Sequence, residues 1–204
     1  MNVLLVSGSP HPEGSTVTAL REVGAALQKN GVETTLFRLG PRPVRGCIAC
    51  NGCDTAGSCV FHDAPYDELL ALAKQADGFV FGTPVYYAGP NGAFCALLDR
   101  LFYSAGRVLS GKPGASVVSC RRGGASASFD RLNKYFTINR MPVVSSQYWN
   151  SIHGNNAEEA RQDLEGLQTM RTLGNEMAYL LRSLEKAGLA RPAREQGVAT
   201  NFIR

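Results

Sequence analysis

The spacing of hydrophobic and polar positions changes period several times along the chain, and each change marks an element. "VLLVSGS", residues 3–9, is a continuous apolar run ending in small polar residues, the pattern of a strand buried on both faces. From Ser15 the period lengthens. Val17, Leu20, Val23 and Leu27 recur at three and four residues, which predicts an amphipathic helix with Ser15 or Thr16 as N-cap and Gly31 as its stop. "ETTLFRL", residues 33–39, alternates and predicts a second strand nearer a sheet edge. Asp63 is placed to cap a helix through Ala76 that carries Leu69, Leu70 and Leu72. "GFVFG" at 78–82 predicts a third buried strand, 91–104 a helix, "GASVVSC" at 114–120 a fourth strand, and 126–139 a helix broken by Met141-Pro142. "VVSSQYW" at 143–149 predicts the fifth strand. One long helix is expected over 157–186, ended by Gly188, with an irregular tail beyond.

Five strands alternating with helices predict an α/β fold: a doubly wound, five-stranded parallel sheet with helices on both faces and right-handed crossovers. The 204 residues contain no repeat and no low-complexity linker, so one domain over 1–204 is expected. It carries a cysteine-rich insertion at 41–62 and a C-terminal helix plus tail from about residue 157.

Composition and charge mainly remove options. No apolar stretch approaches the roughly eighteen residues of a membrane span. "MNVLLVSGSP" lacks a basic leader and a cleavage site, so a cytoplasmic protein with reduced thiols is expected. A net charge of +4 is too mild for a nucleic-acid-binding face. The pairs Arg42/Arg45 and Arg121/Arg122 call for no more than a small anionic ligand.

In a doubly wound sheet, ligands bind beyond the carboxyl ends of the strands. Three segments in that position are rich in Gly, Ser, Thr or Pro: "SGSPHPEGST", "GTPVYYAGPNG" and "SCRRGGAS". The first joins a strand to a helix start, where free N–H groups favour an anion, and Ser7, Ser9, Ser15 and Thr16 add hydroxyls. It has neither the P-loop lysine nor GxGxxG, so it is not an NTPase loop or a dinucleotide fingerprint. The second offers Pro84, Val85, Tyr86 and Tyr87 as walls for a flat conjugated ring, or as packing under a helix. The third sets Arg121 and Arg122 before Gly123-Gly124, where a guanidinium would stabilise the N1 anion of a reduced isoalloxazine, or simply be solvated.

"CIACNGCDTAGSC" places Cys47, Cys50, Cys53 and Cys59, four of the six cysteines, within one short segment. Three thiolates spaced by two residues fold around one corner of an iron–sulfur cube, with Cys59 returning after Gly57-Ser58. Reduced thiols without metal and a zinc site stand as alternatives. Cys95 reads as a core position, whereas Cys120 ends a strand where the third loop begins. Tyr148 and Trp149 read equally as the roof of a ligand site, in this chain or a partner subunit, or as interface or core packing, and His153 as structural.

Together, "SGSPHPEGST", "FGTPVYYAGPNGAFCALLDR" and "SQYWNSIHG" resemble the NADPH-dependent FMN reductase family of flavodoxin-like proteins. The family's phosphate loop is matched by Gly8-Ser9-Pro10 with Gly14-Ser15-Thr16, and its ring segment by Pro84-Val85-Tyr86 and Asp99-Arg100. The cysteine segment is similar to that of the iron–sulfur flavoproteins, with His62-Asp63 where that group often has two Asp residues. The resemblance implies FMN held at its phosphate by Ser9, Pro10, His11, Gly14, Ser15 and Thr16, and at its ring by Pro84, Val85, Tyr86 and Tyr87. It further implies a loop of Ser119, Cys120, Arg121, Arg122, Gly123 and Gly124 over the pyrimidine edge, and a 4Fe–4S cluster on Cys47, Cys50, Cys53 and Cys59. NAD(P)H would be the co-substrate, the acceptor a quinone, flavin, iron–sulfur centre or protein, and the assembly a homodimer or homotetramer. Two rival readings are an electron carrier without its own NAD(P)H activity and a thiol redox sensor.

Overall fold

Successive residues of the first strand enter opposite cores: Leu4 and Val6 pack on one face of the sheet, Val3 and Leu5 on the other. That explains its unbroken apolar run. The computed structural model describes residues 1–198 and 200. In chain order its elements are β1 (Asn2–Ser7), α1 (Ser15–Lys29), β2 (Glu33–Arg38), α2 (Cys53–Ala56), α3 (Ala64–Gln75), β3 (Gly78–Tyr86), β4 (Gly89–Pro90), α4 (Gly92–Leu109), β5 (Gly114–Cys120), α5 (Ala125–Ile138), β6 (Ser151–His153), α6 (Ala157–Gln162) and α7 (Leu164–Ala187). The parallel strands run β2-β1-β3-β5-β6, and β4 folds back antiparallel on the end of β3. The expected α/β class holds. Strand order reverses between β1 and β3, and ligands bind in the crevice opened by such a switch.

One core lies between the sheet and α3, α4 and α5, built on Phe79, Phe81, Phe94, Phe102 and Phe136. The other lies under α1 and α7 around Val3, Leu20, Val80, Val117 and Met177. α7 crosses α1 so closely that a Cβ on Gly174 would sit 2.6 Å from both Ala26 Cβ and the Val23 carbonyl oxygen. Among the described residues no helix is long and apolar enough to cross a membrane.

The structure corrects several expectations. The fifth parallel strand is 151–153, not 143–149. Val143 makes only a single bridge to Gly114, and the chain then leaves the ladder. The Ser146 hydroxyl bridges the Tyr148 carbonyl and Asn150 Oδ1, both at 2.8 Å, holding this departure until Val118 N donates to the Asn150 carbonyl. The expected helix over 157–186 is two helices. Asp163 breaks it, because its carboxylate accepts from both Gly166 N (2.9 Å) and His153 N (2.7 Å). β3 continues four residues beyond the expected end at Gly82 and turns back through Tyr87 and Ala88, both at positive φ. The N-cap of α1 is Gly14 rather than Ser15 or Thr16, and α4 runs on to Leu109 past non-helical Ala105.

Replacing Gly174 by Val forces α1 and α7 apart. We expect overpacking of this kind to lower stability by about 1–3 kcal/mol, read as a drop in the urea midpoint without loss of helical signal.

Candidate functional site

Three loops at the carboxyl ends of β1, β3 and β5 are fastened to one another. The first and second meet where Gly8 N donates to the Gly82 carbonyl at 2.8 Å, and Gly8 lies so tightly on Phe94 of α4 that any side chain there would collide with the ring. The first and third are joined by a 2.6 Å hydrogen bond between the buried hydroxyls of Thr16 and Ser119. The second and third meet at Gly124, whose φ is +90°. A Cβ there would lie 2.6 Å from Ala88 Cα and 2.7 Å from Val85 Cγ1. Sheet register puts Ser7 opposite Gly82 and Pro84 opposite Ser119, so all three loops leave the sheet at one level.

Where the loops meet, α1 begins without a side-chain cap and has no acidic residue in its first turn. Its leading N–H groups and its dipole are therefore available to an anion. Ser9 is buried, and its hydroxyl oxygen accepts from His11 N at 3.1 Å, leaving its proton free to donate. His11 itself is exposed, and Pro10, Gly14 and Ser15 are half-buried. Glu13, the acid of this loop, is tied up by Arg21, whose hydrogen bonds hold its carboxyl below the usual carboxylate range. Pro84 and Val85 are half-buried, while Tyr86 and Tyr87 are exposed on the hairpin tip. In the third loop Arg121, Arg122 and Gly123 are exposed, and among the described residues no atom beyond its chain neighbours lies within 4 Å of where a Gly123 Cβ would be. Main chain there is open to a flat ligand. Cys120 is buried, and burial pushes its thiol up. These features suit a phosphate ester of a flat ring: backbone donors at one end, bare main chain and aromatic side chains at the other.

The cysteine segment lies on the outer side of α4, anchored by Arg100. This arginine is 1% exposed. Its Nε donates to Cys59 Sγ at 3.4 Å, one terminal nitrogen pairs with Asp63 and reaches the Arg45 carbonyl, and the other donates to the Phe61 carbonyl. Burial alone would weaken its hold on its proton, but the bonds to Cys59 and Asp63 outweigh that and keep it charged. Its guanidinium also lies 4.7 Å over the Tyr66 ring. The Tyr66 hydroxyl accepts from Cys59 N (2.9 Å) and meets Ser104 Oγ (2.7 Å), which donates to the Arg100 carbonyl (2.6 Å). Asp63 also caps α3 through Tyr66 N.

All four cysteines line one small apolar cavity floored by Arg100, Tyr103 and Ser104. Among the described residues no three metal-binding side chains have drawn together at metal-holding distances. The thiols thus share a cavity without being closed on a centre. Ala49 and Asn51, on either side of Cys50, have φ of +53° and +58°, and Asn51 is followed by right-handed Gly52. Such left–right alternation turns successive N–H groups to one side, a device found at iron–sulfur sites. In donor set and surroundings the segment fits an iron–sulfur cluster.

Arg42 and Arg45, for which a small anionic ligand was explanation enough, have partners within the chain. Arg42 binds Glu68 and the carbonyls of Arg38 and Leu39, and Arg45 lies 3.9 Å over Phe61. Tyr148 and Trp149 are 58% and 62% exposed, which removes core packing for them. His153 is exposed, its Nδ1 3.4 Å from Asp163 Oδ2. Cys95 is only half-buried. Sequence reading passed over the roles of Arg100, Tyr66 and Ser104. The available signal was an arginine on an otherwise apolar helical stripe with Leu97 and Leu101.

Strand order and the crevice at the β1/β3 switch define a flavodoxin-like protein. Comparison with known proteins agrees. An archaeal flavodoxin superposes with a TM-score of 0.63 at 16% identity, covering 89% of this chain and 99% of its own. RosB, whose structure carries bound 8-demethyl-8-formylriboflavin 5′-phosphate, superposes with a TM-score of 0.74 at 15% identity over 100% of this chain and 94% of its own. Residues 1–156 match the NADPH-dependent FMN reductase family, and an iron-sulfur flavoprotein of Methanocaldococcus jannaschii is 33% identical over 91% of this chain and 100% of its own length. The chain belongs to the NADPH-dependent FMN reductase family, in its iron–sulfur flavoprotein-like group. That membership makes it a flavin-dependent oxidoreductase.

Replacing Thr16 by Val leaves the buried Ser119 hydroxyl without its partner and unties the first loop from the third. The expected loss is about 1–3 kcal/mol in denaturant unfolding, together with weaker binding of added FMN measured by fluorescence quenching.

Proposed function

We propose that the protein binds FMN across the three loops, takes reducing equivalents from NAD(P)H, and passes them to an iron–sulfur cluster in the cysteine segment and on to a quinone, flavin or protein acceptor. The mutual fastening of the loops through Thr16–Ser119, Gly8–Gly82 and Gly124–Ala88 carries this reading, because it pre-forms a cleft at the strand-order switch. When bound, FMN supplies the exchange between two-electron nicotinamide chemistry and one-electron acceptors, and the protein's share is binding, orientation and electrostatics.

Ser9 and Ser15, with Thr16 through its backbone N–H in the open first turn of α1, hold the phosphate, and Pro10, His11 and Gly14 shape that turn. Hydrogen bonds to a charged group contribute about 1.5–3 kcal/mol each. Pro84 to Tyr87 line the ring, and Ser119 to Gly124 close over its pyrimidine edge. Arg121 places positive charge where the reduced ring gains negative charge. Cys47, Cys50, Cys53 and Cys59 hold the cluster, which supplies single-electron transfer. The exposed Ile48, Val60, Tyr103, Tyr148 and Trp149 support assembly as a homodimer or homotetramer. We place the whole chain in one domain working inside the cytoplasm.

Anaerobically prepared protein should carry flavin bands, bind about one FMN per chain, and oxidise NADPH or NADH with ferricyanide or a quinone as acceptor. Colourless protein that ignores added FMN overturns the reading. Bound FMN without turnover on either nucleotide assigns the protein as a carrier reduced by a partner.

Arg121→Ala, with FMN retained, should lower the two-electron potential of the flavin. A shift of about 30 mV corresponds to about 1.4 kcal/mol. An unchanged potential removes Arg121 from this role.

A further inference from the structure

We infer that Arg100 is a positioning residue for the metal centre: it fixes Cys59 as the one anchored ligand and, through Nε–H donated to Cys59 Sγ, raises the reduction potential of the cluster. This rests on the proposal that the four cysteines hold iron and sulfide.

The four cysteines are not equivalent. Cys47 and Cys50 are exposed and Cys53 is half-exposed, on a stretch whose turns depend on positive-φ residues. Cys59 is held at two atoms at once. Its amide donates to the Tyr66 hydroxyl and its sulfur accepts from Arg100, and both partners stand on the helices that pack against the sheet. Three of the cysteines thus stand on an outer turn, while the fourth is tied directly to the scaffold.

The second part follows from charge. A cluster on four thiolates gains negative charge when reduced, and hydrogen bonds to its sulfurs are among the factors that set its potential. Arg100 is a permanent cation removed from water, so its field is less screened than that of a surface arginine. Three of its four other N–H donors are committed to Asp63, Phe61 and Arg45, which aims the Nε–H at the sulfur. Asp63 tempers the charge without cancelling the directed bond. A buried guanidinium takes the sulfur as an acceptor for structural reasons alone; the same bond, made to a cluster ligand, also directs its positive charge at that sulfur.

The test uses full-length protein, prepared anaerobically, as wild type and Arg100→Lys. Lysine keeps the charge but cannot reproduce the fork that serves Asp63, Phe61 and Cys59 together. Iron, sulfide and FMN are assayed, and the cluster is titrated with dithionite under EPR. The variant should keep its FMN and circular dichroism while its cluster midpoint moves to a more negative potential. An unchanged midpoint in the folded, loaded variant overturns the inference and leaves the cluster reading standing. Wild-type protein that takes up no iron overturns the cluster reading and this inference with it. Since Arg100→Lys risks misfolding, wild-type protein grown with 15N-arginine supplies an independent readout. Pulsed EPR of the reduced cluster should show a coupled arginine nitrogen, and its absence overturns the inference.

Discussion

A guanidinium removed from water must be met by acceptors from the chain, and Arg100 imposes that demand in the middle of α4. Removing one partner of a buried charge pair costs about 3–5 kcal/mol. The demand is met by a sequence-distant set: the Arg45 and Phe61 carbonyls, Cys59 sulfur and the Asp63 carboxylate. An otherwise exposed stretch from 45 to 63 is thereby drawn onto the helix. Tyr66 and Ser104 complete the arrangement with each proton used once: Tyr66 O–H to Ser104, Ser104 O–H to the Arg100 carbonyl, and Cys59 N–H to the tyrosine oxygen. The cysteine segment has little core of its own. Its position follows from satisfying one cation.

At the other end of the same helix the governing constraint is close backbone approach. Gly8 against Phe94 and Gly124 against Ala88 are contacts that no side chain would permit. They let three loops converge without filling the space between them. Side chains that might have filled the cleft are used elsewhere. Thr16 and Ser119 satisfy each other, and Glu13 is drawn off by Arg21. What faces the opening is main chain, small hydroxyls and two tyrosines on a turn whose positive φ values are costly for residues other than glycine.

Much of this was legible in the sequence, for identifiable reasons. β1, β3 and β5 are buried on both faces and therefore read as apolar runs, and α1 and α5 show a clean helical period. The edge was harder. Val143, Tyr148 and Trp149 have strong strand preferences, but that preference reflects packing on a half-buried surface, and here they lie exposed where the chain bows out. The true edge strand has a single buried apolar residue, Ile152, and is recognisable only from its partners Val118 and Cys120. The break at Asp163 and the cap at Gly14 were hidden likewise. In each case a polar side chain was committed to a distant partner, Asp163 to His153 and Thr16 to Ser119. The three loops could be picked out as composition, but their mutual contacts could not. Arg100 could be quoted as part of a motif, but its burial depends on residues some forty to fifty-five positions earlier.

The two candidate centres are mechanically related through α4. Its N-cap, Asn91, receives a hydrogen bond from Phe94 N and donates its own amide to Thr83, so it is locked to the loop proposed to form the ring wall. Arg100 stands nine residues further on, about 14 Å along a helix rising 1.5 Å per residue. The one irregularity in α4, at Ala105, falls beyond Arg100. The intervening run is therefore regular helix, packed on the sheet through Phe94, Leu97, Leu98 and Leu101. A rigid element of that length fixes the separation between the ring wall and the anchored cysteine more firmly than any loop. The fold thus holds both candidate sites at a set spacing, with Cys47 and Cys50 exposed beside the anchored Cys59.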